Sequence, residues 1–184
     1  TGESLSFETA KDIPTFEERL AVGRYDIVYC NPFQYVQRSR VPGYAAFARE
    51  KGVRLQGLVV VAVSSLVRSL DDLAGARLAL PAPTAFAAAM LPLAHLKAQG
   101  VAVTPLFVGT HDSVYLGVAR GFFPAGGGIR RTFDNCPDEL REELRIVWES
   151  PPYTPHPLAA HPRVPRDSVK RIRQTLLAMD SDPD

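Results

Sequence analysis

Three short apolar runs in this chain each lead straight into a helix-start signal, and that pattern restricts the fold more than any other feature. "YDIVYC" (residues 25–30) runs into Asn31 and Pro32, "RLALP" into Thr84, and "VAVTPLFV" (residues 101–108) into "GTHD". An Asn cap followed by proline at the first helical position is a strong helix start. A nearly continuous apolar run of this length reads as a strand buried on both faces. Strand followed by helix, repeated, predicts an α/β protein with a mostly parallel sheet covered on both sides.

The remaining segments fill in that plan. "LSFET" (residues 5–9) alternates like a strand. "DIPTFEERLAVGRY" reads as a short amphipathic helix stopped at Gly23. "GYAAFAREKG" reads as a short helical piece or turn. "VRLQGLVVVAVSS" is a long strand, broken or bent near Gly57. A helix is expected from Thr84 to Gly100, with Phe86, Met90, Leu93 and Leu96 as its apolar stripe and a kink at Pro92. "HDSVYLGVARG" is a helix with Gly121 beyond its last turn. "FFPAGGGI" is a short strand or close backbone segment, and Gly126 to Gly128 fit a tight strand-to-helix turn or a close backbone approach. A helix and a strand through Trp148 follow. Residues 151–165 hold six prolines and should be largely extended. An amphipathic helix follows them.

Composition excludes several functions. With 184 residues and 46% hydrophobic content, the chain can bury a real core. Lys and Arg total 21 against 20 Asp and Glu, so no basic excess marks a nucleic-acid binder. The longest apolar runs, residues 58–63 and 85–91, fall far short of the ~20 residues that span a bilayer. The opening "TGESLSFETA" lacks the basic start and apolar core of a secretory signal. Cys30 and Cys136 are expected on different lobes, and the four histidines lack metal-ligand spacing, so no metal and no cofactor are expected. The basic spots at Arg130–Arg131 and residues 170–173 read as solvated helix faces, and Trp148 as core.

The ordered set "GRYDIVYCNPFQYV", Gly43–Tyr44, "SLDDLAGARLALPAPTAF", "GTHDSVYLGVARG" and "LRIVWESPPYTPHPLAAHPRVP" resembles the phosphate/phosphite/phosphonate ABC-transporter substrate-binding proteins, a branch of the type 2 periplasmic binding proteins. The resemblance covers nearly the whole chain. It implies a two-lobed type 2 periplasmic-binding-protein fold with three-layer α/β/α lobes. Lobe I would comprise residues 1–56 and 151–184, and lobe II residues 57–150. Members of this family carry a further strand and helix ahead of the stretch matching "LSFET", so the first lobe is expected to be incomplete. A neighbouring chain, a swapped element or a disordered first lobe would follow. The implied role is a non-enzymatic periplasmic carrier that binds a small anionic ligand in an inter-lobe cleft and delivers it to a membrane permease. A sensor domain of a signalling protein is the alternative, and an enzyme on the same fold a more distant one.

The candidate ligand residues follow. At the turn after "RLALP", the N–H groups of Thr84, Ala85 and Phe86 should face the cleft, where a helix N-terminus favours an anion; Thr84 could equally be a simple helix cap. The resemblance places His111 in the cleft wall of the second lobe, where its titration range permits a pH-sensitive contact. Asp112 beside it is either a ligand contact or a cap. Neither has a Ser or Cys partner of the kind a nucleophile needs. Asn31 and Tyr35 follow the end of a buried strand, where ligands of open α/β sheets bind. Tyr35 and Tyr44 could close over the ligand, or pack in the core with satisfied hydroxyls. In the aminophosphonate-binding pattern an Asp that meets the ligand amine stands roughly where this chain has Pro124.

Overall fold

The computed structural model describes residue 2 and residues 4–179. In chain order the elements are α1 (Ile13–Ala21), β1 (Ile27–Tyr29), α2 (Pro32–Arg38), β2 (Ala45–Arg49), β3 (Gly57–Ala62), β4 (Arg77–Leu80), α3 (Leu91–Ala98), β5 (Thr104–Phe107), α4 (His111–Ala119), β6 (Ala125–Ile129), α5 (Arg130–Asp134), α6 (Asp138–Glu142), β7 (Leu144–Glu149), β8 (Pro157–Ala160) and α7 (Arg166–Ala178). They form two compact units. One comprises the described residues up to Val53 and from Pro155 onward, and the other is Arg54–Thr154.

The contiguous unit is a three-layer sandwich. Its sheet has the order β5-β4-β6-β3-β7. Because strand side chains alternate between faces, β3 feeds two cores. Leu58 and Val60 pack with Val114, Tyr115, Val118 and Phe133 on one side. Val59 and Val61 pack with Leu73, Ala89 and Leu96 on the other. All four β3 residues are fully buried. Trp148 is partly buried against the second of these cores.

The sheet is mixed rather than mostly parallel, which corrects the sequence expectation. β4 pairs in parallel with β5 and with β6. β3 runs antiparallel to both β6 and β7. Periodicity fixes which residues are buried, not which way a strand runs, so the reversal of β3 was invisible in the sequence.

The helix after β4 also departs from expectation. It begins at Phe86, not Thr84, with a π-helical turn over Phe86–Met90 that leads into α3. Pro92 explains the widened turn. The Leu91 N–H bonds to Phe86 O, five residues back. Pro92 has no N–H to donate to the preceding turn. The Ala87 carbonyl faces the sheet, and a Cβ added at Gly57 would lie 2.0 Å from it.

The glycine run lies inside β6, so of the two readings it is the close backbone approach and not the strand-to-helix turn. Added Cβ atoms would meet Val114 at Gly126, Ala88 O at Gly127 and the Tyr115 hydroxyl at Gly128, each within 2.3 Å. Helical segments press on both faces of this strand, and only glycine lets them approach so closely.

The discontinuous unit holds the sheet β1-β8-β2, with both pairings antiparallel. Its core gathers Leu20, Tyr25, Val28, Cys30, Tyr44 and Ala159, with Phe16 and Tyr35 packed against them. Asn31 caps α2 as expected, in a full capping box with Gln34. Two expectations fail here. Residues 45–49 form β2 rather than a helix, because pairing with β8 overrides their alanine-rich composition. Residues 5–9 form no strand and belong to no sheet. The stretch of prolines contributes β8 and then turns at residues 162–164, so it is extended only in part. Cys30 and Cys136 lie in different units, both buried as free thiols.

Candidate functional site

The carboxyl ends of β4 and β5 form a shared ledge. The two strands pair in register from Arg77 opposite Thr104 to Leu80 opposite Phe107. The pairing continues past their ends: Val108 N–H donates to Leu80 O at 2.9 Å, and Gly109 N–H to Pro81 O at 3.0 Å. The two chains therefore leave the sheet side by side. One turns through residues 82–85 into the π-helical turn. The other turns at Gly109, whose φ of 94° suits glycine, and enters α4. Ligands of open α/β sheets bind at such edges.

On the β4 side, Ala85 N–H donates to Ala82 O at 3.2 Å, closing a turn over Pro83 and Thr84. Ala85, not Thr84, is the cap residue of the following helix, and no side chain caps it. This corrects the expectation in two ways. Thr84 sits in the turn ahead of the helix, and the Ala85 N–H is taken up by the turn. The first N–H groups of the helix, beginning with Phe86, have no partner one turn back, as at any helix start. Thr84, Ala85 and Phe86 are all partly buried. The Phe86 ring meets Tyr153 edge-on at 5.4 Å.

On the β5 side, Thr110 caps α4, its Oγ1 accepting from Ser113 N–H at 3.0 Å. His111 is thereby the first helical residue. Its Nδ1 is buried with no hydrogen-bond partner among the described residues. Burial pushes the imidazole pKa down, only partly opposed by the Asp112 carboxylate. Asp112 itself is exposed in the first turn. It is not the cap.

Residues that the sequence did not single out hold the neighbouring part of the edge. The buried Tyr115 hydroxyl accepts from Ile129 N–H at 3.2 Å and lies 2.8 Å from Thr132 Oγ1, tying α4 to the end of β6. Burial pushes its pKa up to about 12. Arg130, the first residue of α5, grips Glu149 with two bonds of 3.0 and 2.8 Å. The sequence offered it only as a solvated basic spot. Ser150 is buried, its Oγ accepting from Gly57 N–H at 3.0 Å.

The three first-unit candidates differ. Asn31 Oδ1 accepts from Gln34 N–H at 2.9 Å in its capping role. Tyr35 is partly buried and its hydroxyl accepts from Ala46 N–H at 3.3 Å. Tyr44 is 2% exposed and donates to Tyr25 O at 2.7 Å. Tyr44 is thus a core residue with a satisfied hydroxyl, not a side chain free to close over a ligand. Among the described residues no group of His, Cys, Asp or Glu could hold a metal, and no helix is long and apolar enough to cross a membrane.

This arrangement is that of the type 2 periplasmic-binding-protein class, and solved structures of similar fold agree. XAC2383 from Xanthomonas citri, bound to chloride ion, superposes with a TM-score of 0.79 at 22% identity, over 95% of this chain and 70% of that one. PhnD1 from Prochlorococcus marinus, in complex with methylphosphonate, gives a TM-score of 0.75 at 18% identity, over 86% and 66% of the two chains. At these identities the likeness is one of fold. The sequence model of the family described as "ABC transporter, phosphonate, periplasmic substrate-binding protein" matches residues 1–184, and the chain belongs to that family. A curated relative, the phosphate-import protein PhnD of Mycolicibacterium smegmatis, is 24% identical over 98% of this chain. The chain spans 63% of that relative's length.

Proposed function

We propose that this chain is a substrate-binding component of an ABC importer and that it holds a small oxyanion of the phosphate, phosphite or phosphonate class. Family membership supports the role. What supports the choice of site is the continued pairing of Gly109 with Pro81, because these two segments lead within three residues to Thr84 and His111. An anion on that ledge would meet the first N–H groups of the helix at Phe86 and the positive end of its dipole. The His111 imidazole, with its pKa lowered, is neutral at neutral pH and offers one N–H donor. In this reading the site holds the ligand and releases it unchanged.

Each unit serves as one lobe, and Asn31 and Tyr35 of the discontinuous unit are further candidates for the ligand set. The loaded protein meets a membrane permease in the periplasm. Pro124 removes the carboxylate that an amine-bearing ligand would need, so the ligand lacks an amine. Tyr44 is left out of the ligand set because its hydroxyl is already committed.

Thermal unfolding with phosphate, phosphite and methylphosphonate tests the proposal. Binding confers about 4 kcal/mol at a thousandfold excess over the dissociation constant. At least one of these anions should raise the Tm, and Thr84→Val and His111→Ala should each weaken binding about tenfold or more. A folded protein that none of the three anions stabilises overturns the reading.

A further inference from the structure

Two aromatic rings stand at the helix start that follows β4, and both belong to the contiguous unit. Phe86 opens the helix, and its ring meets Tyr153 at 5.4 Å with the ring planes at 89°. The sheet brings them together. β7 runs antiparallel to β3, so its carboxyl end leaves the sheet where β3 enters it. Beyond those ends the two segments stay paired: Leu55 N–H donates to Tyr153 O and Tyr153 N–H to Leu55 O, each at 2.9 Å. The turn after β4 carries the chain across β6 as far as β3, where a Cβ added at Gly57 would meet Ala87 O. Phe86, one residue ahead of Ala87, is thereby set beside the pair that holds Tyr153. Backbone fixes both rings, Phe86 through the helix and Tyr153 through its bridge to Leu55. Two rings at right angles form a corner, and Tyr153 is 38% exposed.

This corner has a definite place along the sheet edge. In the strand order β5-β4-β6-β3-β7, His111 follows β5 at one end and Tyr153 follows β7 at the other. An oxyanion held by the Phe86 N–H has that residue's own ring as a neighbour. The turn beside it is apolar as well: Pro83 and Ala85 flank Thr84, the one side-chain hydroxyl between Ala82 and Phe86. Inorganic phosphate carries oxygen in every direction. An oxygen turned towards ring carbon loses water without gaining a donor, which is costly. A phosphonate has carbon in place of one oxygen and can turn that side to the rings.

We propose that the Phe86–Tyr153 pair selects the organic part of the ligand, and that the preferred ligand is a phosphonate with an uncharged aromatic or similarly bulky apolar substituent. This selectivity rests on the anion-binding reading of the β4–β5 ledge and narrows it to one ligand class. The phosphonate oxygens take the first N–H groups of the helix, on the side towards β4 and β5. The substituent lies in the corner, where one ring offers its edge and the other its face. Tyr153 acts through its ring, and its hydroxyl is not required.

Calorimetric titration with phenylphosphonate, methylphosphonate and inorganic phosphate tests this. Phenylphosphonate should bind about tenfold or more tightly than methylphosphonate. Tyr153→Ala and Phe86→Ala should each shrink that ratio to about threefold or less, and Tyr153→Phe should keep it. Thermal melts without ligand establish that each variant is folded. If methylphosphonate or phosphate binds and phenylphosphonate binds no more tightly, the ledge stands and the aromatic selection is refuted. If none of the three binds, the ledge itself is refuted and the selection with it. A preference for phenylphosphonate that survives both Tyr153→Ala and Phe86→Ala also overturns the proposal.

Discussion

A Cβ added at Gly127 would stand 2.0 Å from the carbonyl oxygen of Ala88. That is far inside contact distance, and the obstacle is backbone rather than a flexible side chain. Gly127→Ala should therefore push the π-helical turn off the sheet and destabilise the protein by about 3 kcal/mol, the upper range for overpacking. Gly57→Ala, which meets Ala87 O at the same 2.0 Å, should behave alike. Urea midpoints check both. Because the displaced turn leads from Thr84, any anion binding should fall with them.

Tyr115→Phe removes the hydroxyl that serves Ile129 and Thr132 while leaving the ring in the core. A loss of about 1–2 kcal/mol is expected. A pH dependence separates this hydroxyl from simple packing. Its pKa rises to about 12 in the folded chain, against ~10 for an unfolded tyrosine. Its contribution is fully present below ~10 and is lost as pH rises towards about 12. The Phe variant should lose less stability across that interval in alkaline unfolding.

His111 gives the opposite sign. Burial lowers its pKa from 6.5. The unfolded chain therefore takes up the proton first, and stability present above 6.5 is lost as pH falls through the lower folded value. His111→Gln should flatten that acid limb. Unfolding curves taken from neutral to mildly acidic pH read it directly, and an unchanged limb would show that His111 does not titrate this way.

Asn31→Ala removes one half of the capping box, the 2.9 Å bond that Gln34 N–H donates to Asn31 Oδ1, and keeps the 3.0 Å bond that the Asn31 backbone N–H donates to Gln34 Oε1. A cost of about 1 kcal/mol is expected. Asn31→Asp keeps the acceptor and should recover most of it. If Asn31 also touches the ligand, the Asp variant will fold normally yet bind anions more weakly, which calorimetry distinguishes.

Tyr44→Phe leaves Tyr25 O without its 2.7 Å donor. About 1 kcal/mol of stability should go, with anion affinity unchanged. A lost affinity without lost stability would contradict its placement in the core.

The legible parts of the fold were those fixed by local chemistry. Asn31–Pro32 announced α2, and the runs before Thr84 and His111 announced β4 and β5, because caps and burial are written in neighbouring residues. What failed was decided at a distance. Nothing near residue 57 says that β3 runs against β6, and nothing near Ala45 says that β8 will come to pair with it. The candidate site was legible as two turns; the pairing of the segments that lead into them came only from the strand register. Thr84 was misplaced by two residues because the effect of Pro92 reaches back along the helix. Tyr44 read equally as a ring over the ligand or a core ring, because a single tyrosine carries no sign of whether its hydroxyl has found a carbonyl.

β8 lies between β1 and β2 in its sheet, yet it follows them in the chain by more than a hundred residues, with the whole of the contiguous unit intervening. During synthesis the ribosome delivers β1 and β2 early and must then make all of Arg54–Thr154 before the strand that joins them emerges. The second unit can finish while the first is still two unjoined pieces. The early segments must therefore wait with their apolar faces uncovered, and the nascent chain is most exposed to chaperones and to misassociation in that interval.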